Sequence, residues 1–426
     1  MLYQLFEWLK TEGIKLPGGN LFLFITFRVL LAVLLSLVIT TVYGKRLINF
    51  LRRKQVGESV RDLGLAGEQQ KKGTPTMGGI IILLAILIPT LLLADLNKAY
   101  VRLMIFATVW LGIIGFIDDY LKLRAKKLSQ KQGIPYKKGD KDGLAGWFKV
   151  LGQVVLGIVV AAVLLFNDNV KVYREYVGEN VPTDTSKMKR IPWGEEERVF
   201  VQSDGPITTI PFVRTHEFNY SKLLPEAMRG FTWVLYSVIV IFIIIAVSNG
   251  ANITDGLDGL ATGTSAIIGV CLGVFSYASG NLRFADYLNI MYIPNLGELS
   301  VFIGALIGAC IGFLWYNSYP AQVFMGDTGS LALGGIIAAL AIIVRKELLI
   351  PIFCGVFLVE SLSVMIQVTY FKYTKRKYGE GRRVFLMSPL HHHYQKLGYH
   401  ESKIVTRFWI VTVLCVVFTI VTLKIR

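Results

Sequence analysis

Long apolar runs alternate with polar ones along the whole chain. Ten such runs cover residues 21–43, 77–97, 99–120, 147–166, 230–248, 259–279, 299–316, 329–345, 348–371 and 404–424. Each is about twenty residues long, the length a helix needs to cross a hydrocarbon core of roughly 30 Å. None alternates with a period of two. Lipid leaves a spanning backbone only two solutions, helices or a closed barrel, so the pattern predicts an all-α polytopic membrane protein of about ten transmembrane helices. It reads as a single membrane-embedded domain over residues 1–426, with one long segment, 167–229, between the fourth and fifth spans.

Ten spans place both termini on one side and sort the polar stretches into two sets. Residues 44–76, 121–146 and 372–403 carry eight Lys plus Arg each, and the short 249–258 and 317–328, which belong with them, carry none. The opposite connections hold only Lys98, Arg283 and Lys346. The excess of basic residues predicts that the first set is cytoplasmic and that the termini and 167–229 are periplasmic, in an inner membrane. At more than 60 residues, 167–229 would cross largely regardless of its charge, and its pattern fits strands or irregular structure equally.

Composition agrees with this reading. The chain is 53% hydrophobic and 17% charged, with a mean hydropathy of +0.53, too apolar for a soluble domain. A net charge of +16 would suggest nucleic acid elsewhere, but here the cations sit in loops between spans, where they set topology and meet anionic lipid. Residues 1–20 carry Glu7, Lys10, Glu12 and Lys15 before any long apolar run, so no cleavable signal is expected. Cys271, Cys310, Cys354 and Cys415 each lie in an apolar run without a CxxC pair, which speaks for packing rather than disulfides or zinc. Gly304, Gly308 and Gly312, at spacing four, predict close helix–helix contact.

The polar motifs fall in the predicted cytoplasmic set. Lys71-Lys72-Gly73-Thr74-Pro75-Thr76 enters the second span; Thr76 is placed to cap that helix, and lysines beside a helix N-terminus suit an anion. Asp118-Asp119 closes the third apolar run. Two acids at a membrane boundary are costly unless solvated, paired or metal-bound, and at a helix C-terminus they oppose the macrodipole; Lys122 and Arg124 offset part of the repulsion. Asn249, Asn252, Asp255 and Asp258 recur every three residues among three glycines, a pattern of oxygen and amide donors fitting a hard cation or a nucleotide. Asn317 and Phe324 precede Asp327, the only acid between Glu298 and Glu347; Phe324 suits stacking on a base or anchoring at the interface. His391-His392-His393 suits phosphate binding or proton handling better than zinc. Glu360, inside the ninth run, is either functional or a buried hydrogen-bond partner.

Taken together, GTPTMGG, GFIDDYLK, NxxNxTDGLDGLA, FMGDTGSLALGG and PLHHHYQ resemble, over nearly the whole chain, the phospho-N-acetylmuramoyl-pentapeptide transferases. These are the MraY-type enzymes of bacterial peptidoglycan synthesis, within the polyprenyl-phosphate sugar-1-phosphate transferases. The resemblance implies transfer of phospho-MurNAc-pentapeptide from UDP-MurNAc-pentapeptide to undecaprenyl phosphate, giving lipid I and UMP. It implies Mg2+ as cofactor with Asp327 as its ligand, Asp118 and Asp119 as essential acids, and Asp118 as base or lipid-phosphate partner. His391 joins the catalytic set. Lys71, Thr76, Lys149, Asn249, Asn252, Asp255, Asp258, Asn317 and Phe324 line the substrate cleft, and a homodimer is implied. Segments 128–145 and 167–229 are longer than usual in the family. A sibling transferase using a UDP-N-acetylhexosamine donor is the nearest alternative. A transporter is the distant one, and would predict acids near the bilayer midplane and inverted repeats.

Overall fold

The structure is a computed structural model. It describes residues 1–14, 17–54, 71, 73–131, 143–167, 170, 172–175, 188–193, 196–202, 205–210, 217–288 and 290–423. Lys72 and much of 128–145 and 167–229 lie outside the described residues.

An N-terminal helix α1 (Leu2–Thr11) precedes α2 (Ile25–Val38), which runs through one π-helical turn, Ile39–Tyr43, into α3 (Gly44–Arg53). Then come α4 (Gly79–Leu93), α5 (Ala99–Lys131) and α6 (Gly146–Phe166). Five short strands follow: β1 (Tyr173–Glu175), β2 (Met188–Trp193), β3 (Glu196–Gln202), β4 (Ile207–Thr209) and β5 (Glu217–Asn219). The remaining helices are α7 (Thr232–Thr254), α8 (Leu260–Gly280), α9 (Leu282–Leu288), α10 (Leu299–Asn317), α11 (Gly326–Ile343), α12 (Ile350–Phe353), α13 (Gly355–Tyr378), α14 (Leu390–Lys396) and α15 (Glu401–Val421).

All ten apolar runs fall on helices, so the protein is an all-α polytopic membrane protein. Among the described residues, eight helices are long and apolar enough to cross unaided. The run 348–371 is broken: the segment ending at Phe353 meets α13 at 78°, and counts as a ninth span if the pair is taken together. The 15-residue α4, with Pro89 inside it, is shorter than a hydrocarbon core requires.

The bundle is organised around α11. Its sequence, GDTGSLALGGIIAALAII, is apolar and small on every side, and from Thr328 to Ile343 every residue is buried. Small residues let neighbouring backbones approach closely. A Cβ on Gly79 of α4 would collide with Gly329, one on Gly334 would meet Ser248 of α7, and one on Gly115 of α5 would strike the backbone of Asp327 and Thr328. The predicted glycine contact also holds: Gly304, Gly308 and Gly312 of α10 lie against Val29, Val33 and Thr40 of the first span.

The 167–229 segment folds, where described, into a three-stranded antiparallel sheet in the order β1-β3-β2 and a separate β4–β5 hairpin. The hairpin packs on the far end of α11. Thr209 donates its backbone N–H to Arg345 at 3.0 Å, and Lys346 Nζ donates to Thr209 Oγ1 at 2.6 Å. Arg345 donates to Tyr236 and Tyr220 to Glu347. Burial of Lys346, opposed by neighbouring Glu347, pushes its ammonium down to about 7.

Two expectations about motif placement change. The third apolar run ends at Tyr120, but α5 continues to Lys131. Asp118 and Asp119 therefore stand in mid-helix, and the macrodipole does not bear on them. Thr76 does not cap α4. The N-cap position is Gly78 without a side-chain bond, and the N–H groups of Gly78 and Gly79 donate to the carbonyls of Phe324 (2.8 Å) and Met325 (2.9 Å). Those carbonyls come from a segment 245 residues or more downstream, invisible to local pattern.

Candidate active site

Asp118, Asp119 and Asp327 converge at one end of the bundle, each offering an oxygen, all within 4.8 Å of one another. The first two come from mid-α5. Asp327 opens α11, brought there by a left-handed Gly326 and by Gly115, whose lack of a side chain lets α5 touch the start of α11.

The three acids hold different partners. Asp119 is turned to structure. Its Oδ1 accepts the Asp327 N–H (3.1 Å), and its Oδ2 accepts the Thr328 N–H (2.9 Å) and hydroxyl (2.6 Å). It thus satisfies the first free N–H groups of α11, as a capping residue does, from another helix. Asp118, fully buried, accepts the Leu144 N–H at 2.8 Å and pairs with Lys122 (2.6 Å) and Lys149 (2.9 Å). Asp327 shares the same two lysines, at 3.0 and 2.5 Å, and accepts from Asn252 at 3.0 Å. Three carboxyl groups share two ammonium groups here, a concentration of acid that is costly away from bulk water unless paired or metal-bound. Carboxylate oxygens without thiol or imidazole suit a hard divalent cation.

A second group lies beside the turn between α7 and α8. Lys71 Nζ bridges Asp258 Oδ1 (2.8 Å) and Glu401 Oε1 (2.6 Å), and the Asp258 N–H donates to Glu401 at 2.7 Å. Burial alone would lower the Lys71 pKa; Glu401 and Asp258 outweigh it and hold the ammonium above the ordinary lysine value. Asp258 Oδ2 accepts the Ala321 N–H (2.9 Å), while Asn317 accepts from Gly259 N (3.2 Å) and donates to the Val323 carbonyl (2.9 Å). These bonds tie the 255–259 turn to the segment carrying half-buried Phe324, whose backbone N–H in turn reaches Pro75 (2.8 Å). Asp255 caps the C-terminus of α7 on the same turn.

His391 is buried on α14. Its Nδ1 lies 3.0 Å from Glu360 Oε2, which answers half the question about Glu360: it is a buried partner. His391 Nε2 faces Gly256, where any Cβ would collide with it, and has no hydrogen-bond partner among the described residues. His392, lowered to about 4 by burial and then by His391, is neutral at pH 7 and offers no cation to a phosphate.

The predicted residues therefore assemble into one acid cluster (Asp118, Asp119, Asp327, Lys149, Asn252) and an adjoining polar turn (Lys71, Asp258, Asn317, with Asp255, Phe324 and His391 alongside). Thr76 lies against Gly326. Asn249 is turned away, donating to Gln153 (3.0 Å) and to the Ile245 carbonyl (2.8 Å) within a buried polar chain. Sequence reasoning passed over Glu401, an acid opening a helix and so unremarkable by itself. It used Lys122 only as a charge offset, although its i,i+4 spacing from Asp118 was a signal.

Residues 101–345, more than half the chain, match the family model described as glycosyl transferase family 4. The helical bundle with its acid cluster thus belongs to a class of membrane-embedded transferases. Residues 71–83 match the phospho-N-acetylmuramoyl-pentapeptide-transferase signature 1. Relatives named phospho-N-acetylmuramoyl-pentapeptide-transferase are 57% identical in Flavobacterium johnsoniae, 56% in Flavobacterium psychrophilum and 46% in Bacteroides fragilis, with 100% of both chains covered each time. The chain belongs to the phospho-N-acetylmuramoyl-pentapeptide-transferase family.

Proposed function

We propose that the protein transfers phospho-MurNAc-pentapeptide from UDP-MurNAc-pentapeptide to undecaprenyl phosphate, forming lipid I and releasing UMP, with Mg2+ as cofactor. The observation that carries this reading is the cluster of Asp118, Asp119 and Asp327 at one end of the bundle beside a polar turn. The three loops with eight Lys plus Arg each support a cytoplasmic position for it, in a bacterial inner membrane.

In the reaction an oxygen of the acceptor phosphate attacks the sugar-linked phosphorus of the donor. The bond from that phosphorus to the bridging oxygen breaks, and the oxygen leaves with UMP. Asp327 and Asp118 would hold Mg2+, which when bound neutralises charge on the diphosphate. Lys122 and Lys149, already poised between those carboxylates, take phosphate oxygens in the same place. Asp118 pairs with both of these lysines. An acceptor phosphate, with a second pKa near 6, attacks largely ionised, so the burden falls on alignment. Asp119 fixes where Asp327 stands. Lys71, Asp255, Asp258, Asn317 and Phe324 receive the nucleotide, with Phe324 a stacking surface for the base, and His391 borders that pocket.

Assaying purified protein with undecaprenyl phosphate and either UDP-MurNAc-pentapeptide or UDP-N-acetylglucosamine tests the reading. UMP release with the first donor only, abolished by EDTA and restored by Mg2+, is expected. Equal turnover of the hexosamine donor would replace this reading with the sibling activity. Glu401→Gln weakens the clamp on Lys71, so the donor KM should rise about tenfold, the worth of one charged hydrogen bond, with kcat within about threefold. A fall in kcat at constant KM would move Lys71 out of the donor site.

A further inference from the structure

A groove opens on the flank of the bundle at the same end as the acid cluster, but on the side of the first span. One wall is the continuous rod of α2, the π-turn and α3; the other is α4. Isolated π-turns inside helices mark functional sites more often than chance, and this one is held in place. Tyr316 of α10 donates its hydroxyl to the Thr41 carbonyl at 2.6 Å, and Thr41 Oγ1 bonds back to the Leu37 carbonyl at 2.7 Å. Gly44 follows at once and leaves room for the Tyr316 ring.

Beside the π-turn lies a cavity of about 320 Å3, lined by Ile39, Tyr43, Leu47 and Phe50 from one wall and Ile81 and Leu84 from the other. That volume is in the range of small-ligand sites. Its mouth is open on the outer surface of the bundle: Tyr43, Phe50 and Leu84 are 55, 53 and 44% exposed. Among the described residues of the lining Arg46 is the one that carries charge, with its guanidinium 5.5 Å from the centre of the Tyr43 ring at the mouth. Lys45, Arg52 and Arg53 share its helix and Lys54 follows it, and no acid occurs from residue 44 to 54.

We propose that this groove binds an anionic phospholipid of the surrounding leaflet, with one acyl chain in the cavity and the phosphate on Arg46. An apolar slot with a single cation at its lip matches an amphiphile carrying one negative charge, and the flanking cations add the field that draws anionic headgroups to a basic membrane-proximal segment. The slot is separate from Lys122 and Lys149, so the proposal stands whether or not the proposed reaction is correct.

Native mass spectrometry of the full chain in a neutral detergent tests it, titrating phosphatidylglycerol and phosphatidylcholine of identical chains. Phosphatidylglycerol should bind about fivefold more tightly, the worth of one cation near a headgroup. Arg46→Gln should bring it to the phosphatidylcholine level, and Leu84→Trp, which fills the slot, should weaken both lipids. Arg283→Gln, an exposed cation outside the groove, should change nothing. Should Leu84→Trp fail to fold, Arg46→Gln on the exposed surface decides alone. Equal binding of the two lipids, or no effect of Arg46→Gln, overturns the proposal. So does one-for-one displacement of phosphatidylglycerol by undecaprenyl phosphate that Arg46→Gln abolishes, since the groove would then serve the acceptor.

Discussion

Asp327→Asn is expected to lower UMP release by at least about a thousandfold, at the upper end of what removing one preorganised charge at a reacting centre costs, in a protein that still inserts and folds. The substitution keeps the shape and an amide oxygen for Asn252. It removes the charge shared with Lys122 and Lys149 and brings the cluster from three carboxylates against two lysines to two against two. Without that carboxylate a divalent cation loses a charged ligand and much of its electrostatic reason to bind there. Folding should be spared, because the start of α11 is capped by Asp119 and not by Asp327 itself. The thermal midpoint in detergent should therefore stay near that of the unsubstituted protein while turnover vanishes. Turnover within tenfold of normal would remove Asp327 from the metal site.

Arg28→Met should cost about 3–5 kcal/mol of stability, the penalty for leaving one member of a buried ion pair behind, without changing turnover per folded molecule. Arg28 is 1% exposed, within the first span, and Glu298, 6% exposed, precedes α10. The pair is bidentate: Nη1 meets Oε1 in a short contact, and Nη2 meets Oε2 at 2.9 Å. Arg28 also donates to the Leu93 carbonyl (3.1 Å), and Glu298 accepts the Asp95 N–H (2.7 Å), so one pair joins α2, the end of α4 and the start of α10. Removing the arginine leaves a carboxylate among apolar helices with a single backbone donor. Adding Glu298→Gln to Arg28→Met should recover a good part of the loss, as a double-mutant cycle would register. A single variant within about 1 kcal/mol of normal would show that water reaches the pair.

The contrast between these two positions shows what the sequence made readable. Asp118, Asp119 and Asp327 stood out because each breaks or borders an apolar run, and such a break is too costly to be accidental. The helices followed from the length of the runs, and the close contact of α10 with the first span from glycines at spacing four. The partners were not readable. Arg28 and Glu298 are 270 residues apart, Lys71 and Glu401 are 330 apart, and nothing local couples either pair. Apolarity ends at Tyr120 whereas the helix does not, so hydropathy marks only part of α5. The run 348–371 reads as one span because hydropathy is blind to direction, although the chain turns by 78° between Phe353 and Gly355. The division of labour between Asp118 and Asp119, neighbours in sequence, came from the helix itself: successive residues point about 100° apart, one toward the lysines and the other toward the start of α11.

The burial of α11 on every side also joins the strand-bearing segment to the acid cluster through a single helix. Asp327 is the second residue of the helix, and Arg345 and Lys346, to which β4 is fastened, come just after its C-cap Val344. Its 18 residues measure about 27 Å at 1.5 Å each, with no exposed face along which to slip. Whatever grips the β4–β5 hairpin holds the far end of a rod whose near end carries a carboxylate of the acid cluster, and the shortest mechanical route between the two faces of this protein is one unbroken helix.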